Sequence, residues 1–158
     1  MAPDERTTAE TADRVRAIVA RIVAGIGLEG REVSVDIDGE TIVATVEGEG
    51  VGLLIGHHGQ TIDAIQHLAS RVALGDGSGP RYRVIVDADG YRERREQALI
   101  GQADDAADEA LRFKRPVALD AMTASERRIV HEHLRDRDDV ETNSEGEEPG
   151  RHLVITPV

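Results

Sequence analysis

The chain has 158 residues with 31 acidic and 19 basic side chains, a net charge of −12, and no cysteine. Its 39% hydrophobic residues include only three aromatic ones, Tyr82, Tyr91 and Phe113. This length suits one ordinary domain or two very small ones with an aliphatic core. Disulfides, thiolate metal sites and stacking of bases on several aromatic rings are excluded.

Residues 10–27 are predicted to form a helix, because Val15, Ile18, Val19, Ile22, Val23 and Ile26 fall on one continuous face. Residues 32–38 alternate as a half-buried strand with Val33, Val35 and Ile37 on one side. Asp38-Gly39 signals a hairpin into a second strand at 42–46. After the acidic loop EGEGVG, residues 51–55 are too short to assign alone and allow a short helix. A helix at 60–73 carries Ile62, Ile65, Leu68, Ala69 and Val72 on one face. The loop GDGSGP (75–80) leads to a strand at 81–87. The order describes one α+β unit: three strands with helices on one face.

A second unit follows. Residues 91–113 are predicted helical with an Ala-rich inner face (Ala103, Ala106, Ala107, Ala110), stopped at Arg115-Pro116. A short strand is expected at 117–119. Thr123 or Ser125 can cap a helix ending near Leu134, with Ile129, Val130 and Leu134 inward. Strands at 140–143 and 153–155 are joined through SEGEEPG.

Two places carry chemistry. The first is Gly56-His57-His58-Gly59, between an apolar segment and an amphipathic helix. A helix start presents unpaired N–H groups and the positive end of a dipole, and glycine lets a sugar–phosphate chain come close. Gly-x-x-Gly alone is weak evidence, because most occurrences are turns. Charge permits a local anion site: residues 1–50 hold 11 acids and 5 bases, residues 51–90 only 4 and 3. The second is ERRIVHEHL, where Arg127 and His131 stand at i and i+4 on one helix face. Guanidinium and imidazole there can both donate to phosphate. The bland alternative is a solvated face on which Glu126 and Glu132 pair the arginines.

The stretch LLIGHHGQTIDAIQHL resembles the GxxG signature of a KH domain in its bacterial, type II arrangement. DGYRERREQAL, RPVALDAMTASERRIVHEHL and VETNSEGEEPGRHLVITP are similar to the Jag family (KhpB/EloR), which joins a KH domain to an R-3-H domain. The resemblance covers roughly residues 10–157. It implies a KH domain at 10–89 and an R-3-H domain at 90–158 after a disordered 1–9, a segment too short for the separate N-terminal domain of many members. It also implies binding of single-stranded RNA, with single-stranded DNA left open, and no catalysis. The RNA-contacting residues it implies are Gly56, His57, His58, Gly59, Gln60, Thr61, Arg127 and His131. Arg151, at the start of the last strand, adds a third cation. Relatives usually place basic residues between the glycines, where this chain has histidines, and an aromatic at Gly150. A small single-domain KH protein as partner, and control of cell elongation and envelope synthesis, follow from the same resemblance.

No cofactor or metal is expected. His131 and His133 point about 200° apart on a helix and cannot converge on one ion. Glu145, Glu147 and Glu148 lack a calcium-loop pattern and read as a solvated acidic loop. His67 reads as a surface residue, and Ser144 has no evident base partner. No stretch approaches the ~20 apolar residues of a membrane span, and MAPDERTTAE is unlike a secretory signal. A cytoplasmic protein is therefore expected. The competing function is a protein–protein interaction module with vestigial RNA binding, favoured by the net charge. A metal-dependent nuclease is more distant.

Overall fold

A computed structural model describes residues 5–75, 77 and 81–158. The chain divides into two units, one up to Tyr91 and one from Arg92. The elements of the first are α1 (Glu5–Gly25), β1 (Val33–Asp38), β2 (Thr41–Val46), α2 (Gly52–Ile55), a 3-10 turn (His57–Gly59), α3 (Gln60–Leu74) and β3 (Arg83–Ala88). β1 pairs antiparallel with β2, and β2 pairs parallel with β3. The parallel pair needs a crossover, which α2, the 3-10 turn and α3 supply. This is the order expected for the type II KH arrangement.

The core follows from periodicity. Val15, Val19 and Val23 of α1 and Ile62, Ile65 and Ala69 of α3 are buried against Ile42, Ala44 and Val46 of β2 and Val84, Val86 and Ala88 of β3. Burying each larger side chain contributes about 1.5–3 kcal/mol relative to exposure. Leu68, predicted on the inner face of α3, is instead 52% exposed; the buried stripe continues through Ala69 and Ala73. His67 is exposed, as predicted.

Two corrections concern boundaries. Helix α1 starts at Glu5, so residues 5–9, expected to be disordered, are helical. Their anchors are polar and invisible to a hydrophobic count. Thr8 exchanges a 3.0 Å hydrogen bond with the Tyr82 hydroxyl, and buried Thr11 donates to the Thr7 carbonyl at 2.8 Å. Residues 1–4 lie outside the described residues, as does most of the predicted 75–80 loop. The hairpin also turns one residue later than Asp38-Gly39. Asp38 pairs with Thr41, leaving Gly39 and Glu40 in the loop, with Gly39 at the positive φ of 57°.

The second unit contains α4 (its helix spans Tyr91–Phe113), β4 (Val117–Ala118), α5 (Ala124–Leu134), β5 (Val140–Glu145) and β6 (His152–Pro157), with strands in the order β4-β6-β5, all antiparallel. Leu99, Ala103, Ala106, Ala107 and Ala110 of α4 meet Val130 and Leu134 of α5 and Leu153 and Ile155 of β6. Alanines let the helix approach closely, so the unit is thin but packed. Thr123 caps α5 in a capping box with Glu126. Glu126 is only 6% exposed and would be costly there without a cation. Its Oε1 accepts from Arg95 Nε at 2.7 Å and its Oε2 from the Thr123 backbone N–H at 2.9 Å. Glu126 thus ties α5 to α4 rather than pairing with the arginines beside it on α5, as the solvated-face alternative expects.

Candidate nucleic-acid interface

The first site begins where α2 ends. Gly56 has φ 70°, His58 φ 52° and Gly59 φ 82°, so the loop passes through left-handed backbone three times in four residues before α3 starts. Packing also demands the glycines. A Cβ on Gly56 would lie 2.1 Å from Thr61 Oγ1, and one on Gly59 would lie 3.0 Å from the Tyr91 ring and hydroxyl. The glycines therefore draw the loop tightly onto α3 and Tyr91, a reason that spacing alone did not reveal. This tight turn pushes the two histidines outward. Both are exposed, their rings stacked with centroids 4.0 Å apart. Gln60 is exposed at the first position of α3, while Thr61 is half-buried beneath Gly56. Thr61 thus supports the loop rather than projecting beside the histidines.

Gly56→Ala is expected to destabilise the first unit by more than about 1 kcal/mol, since alanine meets both positive φ and Thr61. Gly52→Ala, where nothing lies within 4 Å of the added carbon, should change stability little. Thermal melting of the two variants checks this; equal melting temperatures would contradict it.

The second site lies where α5 packs beside the β5–β6 hairpin. Arg127, His131 and Arg151 all meet groups of this one region. His131 Nδ1 hydrogen-bonds Thr142 Oγ1 at 2.5 Å, and Arg151 Nε donates to Ser144 Oγ at 2.8 Å. Thr142 and Ser144 are two apart on β5 and so share a face. Arg127 is far less solvated than expected, with a side chain 11% exposed. It donates to the Met122 carbonyl at 2.6 Å and to Glu148 Oε1 at 2.7 Å. Glu148, read from the sequence as part of a solvated acidic loop, keeps a 60% exposed side chain but folds its carboxylate onto Arg127. Thr142 and Glu148 were missed because no local pattern links them to α5; only the hairpin register brings them there. Arg128 points elsewhere and pairs with Glu132 at 2.8 Å, as the solvated-face alternative expects. That guanidinium, by hydrogen bond and charge, holds the Glu132 carboxyl below the usual range. Among the described residues no group of three or more His, Asp or Glu side chains could hold a metal ion.

A family model for the KH domain of KhpA/KhpB matches residues 15–86, and one for the R-3-H domain matches residues 97–157. The chain is also 36% identical over 159 residues to the RNA-binding protein KhpB of Lactiplantibacillus plantarum, covering 95% of this chain and 49% of that one. The chain belongs to the Jag (KhpB) family. Other Jag relatives are the RNA-binding protein KhpB of Clostridium symbiosum, 42% identical over 111 residues (70% of this chain, 50% of that one), and that of Bacillus subtilis, 36% identical over 140 residues (87% and 65%). The chain spans about half the length of the first two. Neither matched Jag domain is a catalytic one. Among the described residues, no helix is long and apolar enough to cross a membrane.

Proposed function

We propose that this chain binds single-stranded RNA with two weak grips, the GHHG loop of its KH domain and the Arg127–His131–Arg151 surface of its R-3-H domain. The observation that carries the reading is the loop geometry: glycines locked by Thr61 and Tyr91 present two exposed histidines at the start of a 15-residue helix. Backbone N–H groups at such a start attract phosphate, and a KH loop of this kind clamps about four nucleotides. The short Asp89–Gly90 stretch before α4 keeps both modules on one chain. Linkage of that kind raises affinity by about 10²–10⁴ without new contacts. Single-stranded DNA is the second ligand to compare. A cytoplasmic location, a small single-domain KH protein as partner and control of cell elongation and envelope synthesis complete the proposal.

Cross-linking in cells and sequencing of the RNA bound to the full protein tests it. Enrichment of RNA over a His57→Asp/His58→Asp variant supports the reading. Recovery of partner proteins without RNA supports the interaction-module reading, which the net charge and the Glu148 contact to Arg127 favour.

A further inference from the structure

The chain's one phenylalanine is the residue that neither site uses. Phe113 closes α4 and is 55% exposed, in a chain with only two other aromatic side chains. It stands in the run Arg112-Phe113-Lys114-Arg115, three cations around one ring in a protein of net charge −12. The guanidinium carbons of Arg112 and Arg115 lie 5.3 and 5.7 Å from the ring centroid, within cation–π range.

The backbone fixes this group in place. Lys114 takes a left-handed φ of 51°, and the Arg115 N–H reaches back to the Ala110 carbonyl at 3.2 Å. That is the helix-ending Schellman arrangement, normally built on glycine, followed here by Pro116. A lysine occupies the position that favours glycine, so the turn keeps a third cation. Cations near a helix C-terminus also complement its dipole, and Arg115 pairs with Glu109 at 2.7 Å. Those terms account for the charges. They give no reason to expose a phenyl ring among them.

We propose that Phe113, with Arg112 and Lys114, is a stacking platform for one unpaired base of single-stranded RNA, its cations taking the flanking phosphates. The inference rests on the RNA-binding reading above and adds a site to it. It is distinct from the Arg127 surface. β4 runs antiparallel to β6 with Val117 opposite Ile155, so the segment after Phe113 enters at the Pro157 end of β6. Met122, whose carbonyl holds Arg127, donates its N–H to the Arg151 carbonyl beyond the other end, roughly 20 Å from Pro157 along the strand. A ring-and-guanidinium platform accepts any base, because every base has a π face. One platform is also what a chain with so few aromatics can offer.

The test uses the full chain and an unstructured oligouridylate. Ultraviolet cross-linking followed by mass mapping should place a cross-link on Phe113. Phe113→Leu, which keeps an apolar side chain but cannot stack, should weaken binding at least about fivefold, and Phe113→Tyr should restore it. Melting temperatures should stay at the wild-type value, which separates stacking from a structural role. Arg112→Gln/Lys114→Gln should lower the salt dependence of binding. If wild type binds and Phe113→Leu binds equally well, the platform is refuted while the RNA reading stands. If wild type fails to bind even at low salt, both fall.

Discussion

Changing His57 and His58 to aspartate is expected to lower affinity for single-stranded RNA at least tenfold, about 1.4 kcal/mol, with little change in melting temperature. Both side chains are exposed, with their rings stacked on each other, so the fold loses little when they change. The left-handed φ of 52° at position 58 is one that aspartate tolerates better than most residues. Two carboxylates then face the phosphates that the backbone N–H groups of α3 attract. Repulsion acts at close range, where salt screens it only partly. Affinity equal to wild type would mean that the bound strand does not pass over this loop. A fall in affinity accompanied by a fall in melting temperature would point to a disturbed loop, and His57→Gln/His58→Gln would then separate charge from shape.

Arg127→Ala combined with His131→Ala is expected to weaken binding by at least tenfold and to flatten its salt dependence. Each single-strand phosphate that the protein ceases to neutralise changes the slope by about 0.7. Arg127 also holds the Met122 carbonyl and Glu148, so stability must be followed in parallel. Glu148→Gln provides the reverse test. Its carboxylate occupies the guanidinium of Arg127 at 2.7 Å, so on the proposed reading a phosphate would have to displace it. Removing that charge should raise affinity while leaving the Met122 contact in place. If Glu148→Gln leaves affinity unchanged and the double alanine variant leaves the salt slope unchanged, Arg127 is a structural tie.

Much of this fold was legible because its core is aliphatic and regularly spaced. The stripe Val15, Val19, Val23 marks α1, and the alternation around Ile42, Ala44 and Val46 marks a strand with one buried face. The start of α1 was illegible because Thr8 and Thr11 anchor it by hydrogen bonds. Leu68 defied its spacing because α3 turns its small residues, Ala69 and Ala73, toward the core. At the GHHG loop the glycines were legible as a backbone requirement, whereas their contacts with Thr61 and Tyr91 are tertiary and leave no local signal. The same holds for Thr142, Ser144 and Glu148. The hairpin places them beside His131, Arg151 and Arg127, so Arg127 looks solvated in the sequence and is nearly covered in the structure.

Two modules of one acidic chain gripping single-stranded RNA is the central claim. Equilibrium titration of a fluorescent, unstructured RNA with the full chain at two salt concentrations tests it most directly. Binding should saturate and weaken with salt. It should be reduced by the His57/His58 aspartate pair and by the Arg127/His131 alanine pair, and should fall furthest when the four changes are combined. Absence of saturable binding at low salt, or binding indifferent to both sets of substitutions, would contradict it.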